Sequence, residues 1–301
     1  MRTTNHILMV RPCRFAYNEQ TAVNNAFQLK SDQQAEGVQQ QAVQEFDAFV
    51  QLLRDNGVTV DVLQDTPEPS TPDSIFPNNC FSTHGDTLVL YPMFAPNRRL
   101  ERAKLMPHLQ QLHFEKVVDL THWEAQGKFL EGTGSLVLDR RQRIAYACRS
   151  ARTHEEVLKD WAEQMGYTYF AFNGEDEQGM PIYHTNVMMH LGQDMAMVCL
   201  EAVKDEEQRN TLKQMLQWGY RDVIEITPQQ MHHFAGNMLE VNGSLHEPLL
   251  VMSTTAYDTL KVRQLLRIDR HVKIIHCDIP TIETAGGGSA RCMMAEIFKA
   301  P

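Results

Sequence analysis

Short stretches of alternating apolar and polar residues, each folded back at a turn, recur along the chain. Cys80–Met93 (CFSTHGDTLVLYPM) turns at Gly85-Asp86, and Gly134–Ser150 (GSLVLDRRQRIAYACRS) follows the same pattern. Asn186–Val203 turns at Gly192-Gln193-Asp194, and Asn237–Tyr257 turns near Asn242-Gly243. β-rich runs split by such residues predict hairpins. A fifth run begins at Gly287-Gly288-Ser289 and continues into RCMMAEIF.

Each of the first four runs is followed by helical spacing of apolar residues: Arg98–Leu112, Thr153–Met165, Lys204–Trp218 and the shorter Leu260–Ile268. Thr153 is the expected N-cap of the second helix, with Glu155-Glu156 in a first turn that favours acids. A short apolar strand comes next each time: KVVDL (116–120), TYFAF (168–172), DVIEI (222–226) and VKIIHC (272–277). Near the start, Val38–Leu53 reads as a helix and Val58–Leu63 as a strand. Ile7–Pro12 is expected to supply the strand that closes the fifth unit.

From Asn79 through Thr133, Asn186 and Asn237 to Gly288 the steps are 54, 53, 51 and 51 residues. A fixed period of that size implies stacked or radial units. Five units of hairpin, helix and strand most simply close into a ring, which leaves few open sheet edges. The expected fold is therefore α/β, one domain over residues 1–301, with helices outside and hairpin bases converging on an axis. The alternative is an α/β sandwich with accidental spacing.

Composition narrows the function. The chain has 301 residues, 43% hydrophobic and 22% charged, enough for a full core. Its net charge of −10 gives no electrostatic reason to bind a phosphate backbone. No apolar run approaches the ~20 residues of a membrane span. The apolar stretch Ile7–Val10 is shorter than the roughly 7–15 residues of a signal peptide, so an unprocessed, cytoplasmic protein is expected. Cys13, Cys80, Cys148, Cys199, Cys277 and Cys292 are scattered without C-x-x-C spacing. His232-His233 and His184/His190 lack the spacing that aligns two ligands on a helix. No metal site and no cofactor are expected.

The candidate chemistry lies in four segments at equivalent points of the repeat: Phe76-Pro77-Asn78-Asn79, Glu131-Gly132-Thr133-Gly134, Tyr183-His184-Thr185-Asn186 and Gly286-Gly287-Gly288-Ser289-Ala290-Arg291-Cys292. Three glycines before Cys292 permit close backbone approach or positive φ, which suits an accessible nucleophile. The run is not a phosphate loop, because no Gly-Lys-Ser/Thr follows.

In these segments the chain resembles the arginine-deiminase-like, guanidino-group-modifying superfamily, the penteins, and within it the citrulline-utilisation hydrolase branch, with its FPNN and GGGSARCM motifs. The resemblance implies a five-bladed ββαβ propeller. It implies Cys292 as nucleophile, His184 as general acid and base, and Glu131 as the carboxylate that orients His184. Arg152, in Ser150-Ala151-Arg152-Thr153, would hold a substrate α-carboxylate, and Arg98 or Arg99 would stand at the lip of the site.

Relatives that act on arginine carry carboxylates where this chain has Asn79 and Asn186. A guanidinium is clamped by paired carboxylates, and amides cannot neutralise it. An amide offers one acceptor and two donors, which suits a neutral ureido group. Asn78 adds a third amide nearby. Asparagines that merely cap turns are the plainer alternative.

The expectation is hydrolysis of citrulline to ornithine, ammonia and CO2 through a carbamoyl thioester on Cys292. The partner is a small amino-acid substrate, and a homo-oligomer is compatible with the sequence. The other readings are a guanidine deiminase or amidinotransferase, and a non-catalytic amino-acid sensor or scaffold. Gln64–Ser74 and Asn173–Pro181, rich in turn residues and acids, are the expected lids.

Overall fold

A computed structural model describes residues 3–30 and 35–298. Five three-stranded sheets follow one another along the chain, each the same unit: an antiparallel pair, a helix, then a strand parallel to the second. The first blade is Phe81–His84, Thr87–Leu90 and Lys116–Asp119. The second is Val137–Asp139, Ile144–Cys148 and Thr168–Phe172. Met189–Leu191, Met195–Val198 and Asp222–Glu225 form the third. Leu239–Asn242, Pro248–Ser253 and Lys273–Cys277 form the fourth.

The fifth blade joins the two ends of the sequence. His6–Arg11 lies in the middle, antiparallel to Ala295–Glu296 and parallel to Thr59–Gln64. The expected closing strand is thus present, one residue earlier than its predicted bounds. Neighbouring blades are tied in sequence around the ring. Trp161 Nε1 donates to Tyr91 Oη at 2.9 Å between blades one and two. The inner strands of blades two, three and four lie side by side. Asn242 N donates to Thr4 O at 2.9 Å, and Thr83 Oγ1 donates to Glu296 O at 2.9 Å, which completes the circle.

The layers follow from patterning. Met195–Val198 is buried at every position because it is covered on both faces, which is why it reads as a continuous apolar run. Helix Ala35–Asp55 turns Val38, Ala42, Phe46, Phe49, Val50 and Leu53 inward. Each of the larger of these contributes about 1.5–3 kcal/mol by burial.

Two expected elements differ in detail. The helix expected over Arg98–Leu112 is two pieces, Pro96–Arg99 and Glu101–Gln111. The N-cap of Glu155–Met165 is His154, not Thr153. The Thr153 hydroxyl is spent on Ser135 Oγ at 2.8 Å, a tie between the helix and the inner end of its own blade. No helix among the described residues is long and apolar enough to cross a membrane.

Candidate active site

Where hairpins were expected to start directly, the inner end of a blade instead begins with a single helical turn: Pro77–Asn79, Gly132–Ser135, Thr185–Met188 and Ala290–Met293. At the fourth blade Asn237 follows a run of turns. Asn79, Thr133, Asn186, Asn237 and Cys292 are all buried at these inner ends.

Cys292 sits in the turn after the glycines. Gly287 has φ +64°, in the left-handed region open to glycine, and ends helix Pro280–Gly286. Its carbonyl receives Tyr183 Oη at 2.6 Å and Asn25 Nδ2 at 3.2 Å. The sulfur faces a small cavity of about 260 Å³ lined by Asp73, Asn79, Arg98, Arg152, His184 and Cys292, with Phe76, Tyr183, Asn25 and Gly286–Gly288 around them.

His184 stands just before its helical turn, with Nε2 2.8 Å from Glu131 Oε2. Glu131 is fully buried, and its second oxygen accepts from Phe94 N at 2.9 Å. Burial alone would raise the Glu131 pKa. Arg152, the His184 bond and Arg98 outweigh it and hold the carboxyl at about 2. Burial drives His184 down to about 4, only partly offset by Glu131. At neutral pH the pair is therefore carboxylate and neutral imidazole. An ionised carboxylate only accepts, so Nε2 carries the proton and Nδ1 is left as the basic nitrogen. Gly134 makes this packing possible: a Cβ there would stand 2.4 Å from Asn79 Nδ2 and 2.8 Å from the His184 ring.

Asn79 is fixed in orientation. Arg98 Nη1 donates to its Oδ1 at 2.7 Å. Arg98 is itself buried, with Nε on Glu101 Oε1 at 2.9 Å and Nη2 on Phe76 O at 2.9 Å. The Asn79 Nδ2 donor is buried without a partner. Arg98 therefore braces the Asn79 loop from within and does not stand at the lip as expected. Arg99 points elsewhere, to the carbonyls of Met93 and Phe94. Arg152 lines the cavity, but Nε and Nη2 hold Asn24 Oδ1 at 2.8 and 2.6 Å, and Nη1 lies 3.6 Å from Glu131.

The three amides do not share one head group. Asn78 Nδ2 is on Thr133 Oγ1 at 3.3 Å, and its side chain is not part of the cavity wall. Asn186 lines a different, larger cavity of about 690 Å³ that contains neither the sulfur nor the imidazole. Its Nδ2 lies 3.6 Å from Cys292 Sγ. The reason is local. Positions 184 and 186 would share a face in a strand, but the chain turns helical at Thr185, and residues two apart then diverge.

Sequence reasoning missed three groups. Asn237 Nδ2 is 3.3 Å from the sulfur. Its place in the repeat was a signal available for it. Asp73 presents a buried Oδ1 without a partner, while Oδ2 accepts from Asn18 Nδ2 at 2.8 Å and Thr21 Oγ1 at 2.9 Å. Burial raises its pKa, opposed by Arg98 and by those two donors. The third is the segment Asn18–Gln28, which closes on the site through Asn25, Asn24 and Gln28 Nε2 on Ala285 O at 2.9 Å. Of the expected lids, Gln64–Ser74 reaches the cavity only through Asp73, and Asn173–Pro181 does not line it.

Five ββαβ blades around a buried thiol and a carboxylate-held imidazole define the pentein class, the guanidino-modifying hydrolases. Residues 11–299 match the family model described as N,N dimethylarginine dimethylhydrolase, eukaryotic, and the chain belongs to that family, whose hydrolases act on guanidino C–N bonds. None of the curated proteins matches it.

Among solved structures, the substrate-bound N-terminal domain of ArgZ, an arginine dihydrolase from the ornithine-ammonia cycle in cyanobacteria, has a TM-score of 0.78 at 18% identity over 98% of both chains. The chain spans 41% of whole ArgZ. AgrE in complex with L-arginine gives a TM-score of 0.77 at 19% identity, over 98% of this chain and 40% of that one. DDAH from Pseudomonas aeruginosa, complexed with citrulline, gives 0.69 at 18% identity, over 99% of this chain and 100% of that one. At these identities the likeness is one of fold.

Proposed function

We propose that the chain hydrolyses the ureido C–N bond of citrulline, giving ornithine, ammonia and CO2 through a covalent Cys292 intermediate. The observation that carries this reading is the locked amide of Asn79. Arg98 takes its oxygen, so what faces the cavity is an unpartnered N–H donor. A buried donor left unpaired costs about 1–3 kcal/mol. A ureido oxygen satisfies it; a guanidinium has no acceptor to offer. The ureido N–H groups can serve the free Oδ1 of Asp73, so both orphaned atoms suit one neutral head group.

In the reaction, the neutral His184 takes the thiol proton at Nδ1 as the sulfur attacks the ureido carbon. The bond from that carbon to the side-chain nitrogen breaks, and His184 returns the proton to the departing amine. A carbamoyl thioester remains on Cys292. His184 then takes a proton from water as the hydroxide adds to the thioester carbon, the C–S bond breaks, and His184 returns the proton to the departing thiolate, while the carbamic acid released decomposes to ammonia and CO2. Glu131 holds the imidazole in the required tautomer and steadies its charged form. Arg152 is the proposed contact for the substrate carboxylate, through Nη1. Six unpaired cysteines suit a reducing compartment, so the proposed place of action is the cytoplasm.

Asp73 favours a second reading, a guanidino substrate, because an acid aimed into the cavity could meet a cation. Product analysis with citrulline, arginine and methylated arginines separates the two. Ornithine and ammonia from citrulline are expected. Turnover of arginine with citrulline left untouched would overturn the first reading in favour of the second.

A further inference from the structure

Cys292 carries two amide donors that no assigned role accounts for. Asn237 is fully buried, and its orientation is set from both ends. Its Oδ1 accepts from Arg291 N at 3.1 Å. Its Nδ2 therefore faces the other way, with one hydrogen for Asn186 O at 3.1 Å and one for the Cys292 sulfur at 3.3 Å. Asn186 points a second Nδ2 at the sulfur, at 3.6 Å.

We propose that Asn237, seconded by Asn186, is a catalytic group that stabilises the Cys292 thiolate by donating amide N–H bonds to it. The Arg291 guanidinium is turned away, to Met294 O at 2.8 Å and Glu296 at 2.7 Å. His184 is neutral in the resting site, so the imidazole brings no positive charge either. Oriented dipoles then take that part, and held at both ends by their own hydrogen bonds they act without reorganising. The neutral thiol gains less: its only near acceptor on Asn237 is Oδ1 at 3.7 Å, already occupied by Arg291 N. A donor pair that fits S⁻ better than S–H shifts the balance toward the nucleophilic form. On carbamoyl transfer the sulfur becomes a neutral thioester, and the same two donors favour its return as the leaving thiolate.

The proposal rests on Cys292 being the nucleophile, but its test uses no substrate, so a wrong substrate and a wrong donor set fail differently. The full-length chain is treated with iodoacetamide, and labelling of the Cys292 peptide is followed by mass spectrometry. In Asn237→Ser and Asn237→Asp the rate at pH 7 is expected to fall about tenfold or more. At pH 10 the Asn237→Ser rate should converge on the wild-type rate. A merely structural defect would speed labelling or change it equally at both pH values, and either result overturns the proposal. So does an unchanged rate at pH 7 in folded variants. If neither variant folds, Asn186→Ser carries the test: a smaller loss confined to pH 7 supports the proposal, and an unaltered profile overturns it.

Discussion

Replacing the Asn79 amide by a carboxylate changes a donor to an acceptor at a position where Arg98 has already chosen which end points outward. Asn79→Asp should lose citrulline turnover about 100-fold or more, the usual effect of removing one donor from a developing oxyanion. Any guanidino activity should rise with it, which product chromatography on citrulline and arginine would reveal. His184 gives a second prediction. With the imidazole held at about 4 rather than 6.5, the acid limb of kcat/KM should fall near pH 4, a test made by a pH–rate profile. Glu131→Gln should depress kcat about 10²- to 10⁴-fold.

Cys292, His184 and Glu131 were legible in the sequence because motif and repeat phase coincide there. Asp73 was not, since it lies in a stretch with no periodicity and enters the cavity only by tertiary folding. Asn186 lies against the sulfur rather than beside Asn79 on the cavity wall, because the chain turns helical at Thr185.

Among elements, the single helical turns at the inner ends of the blades decide which side chains meet. They were hidden in the sequence: a turn of four residues such as Gly132–Ser135 is too short for helical spacing to register. The hairpins and outer helices, with two or more turns of repeating pattern, were readable to within a few residues. Gly134 is where element and site constrain each other most tightly. Gly134→Ala should cost about 1–3 kcal/mol by overpacking, read by urea denaturation. Its loss of kcat should exceed what that destabilisation explains, because the new methyl presses on Asn79 and His184 together.

For the whole molecule, the buried Glu131–His184 pair ties stability to pH. Glu131 falls from an ordinary 4.5 to about 2 and His184 from 6.5 to about 4. Between about pH 6.5 and 2 the unfolded chain therefore binds more protons than the folded one. This contribution is complete above about pH 6.5 and is lost as pH falls through that window. Urea midpoints measured from pH 7 to 4 should decline, and less steeply in His184→Gln. The ring itself was legible as four near-equal steps linking five units. Its seam was foreseen as well, since Ile7–Pro12 was expected to supply the strand that closes the last unit.

That seam orders the assembly of the enzyme in time. His6–Arg11 is made long before its antiparallel neighbour Ala295–Glu296. A chain still growing on the ribosome has Glu131 and His184 in hand but no sulfur opposite them and no circle to press them together. The reactive centre thus comes into being only once Cys292 and the strand Ala295–Glu296 have been made, and a chain halted before them carries none of its chemistry.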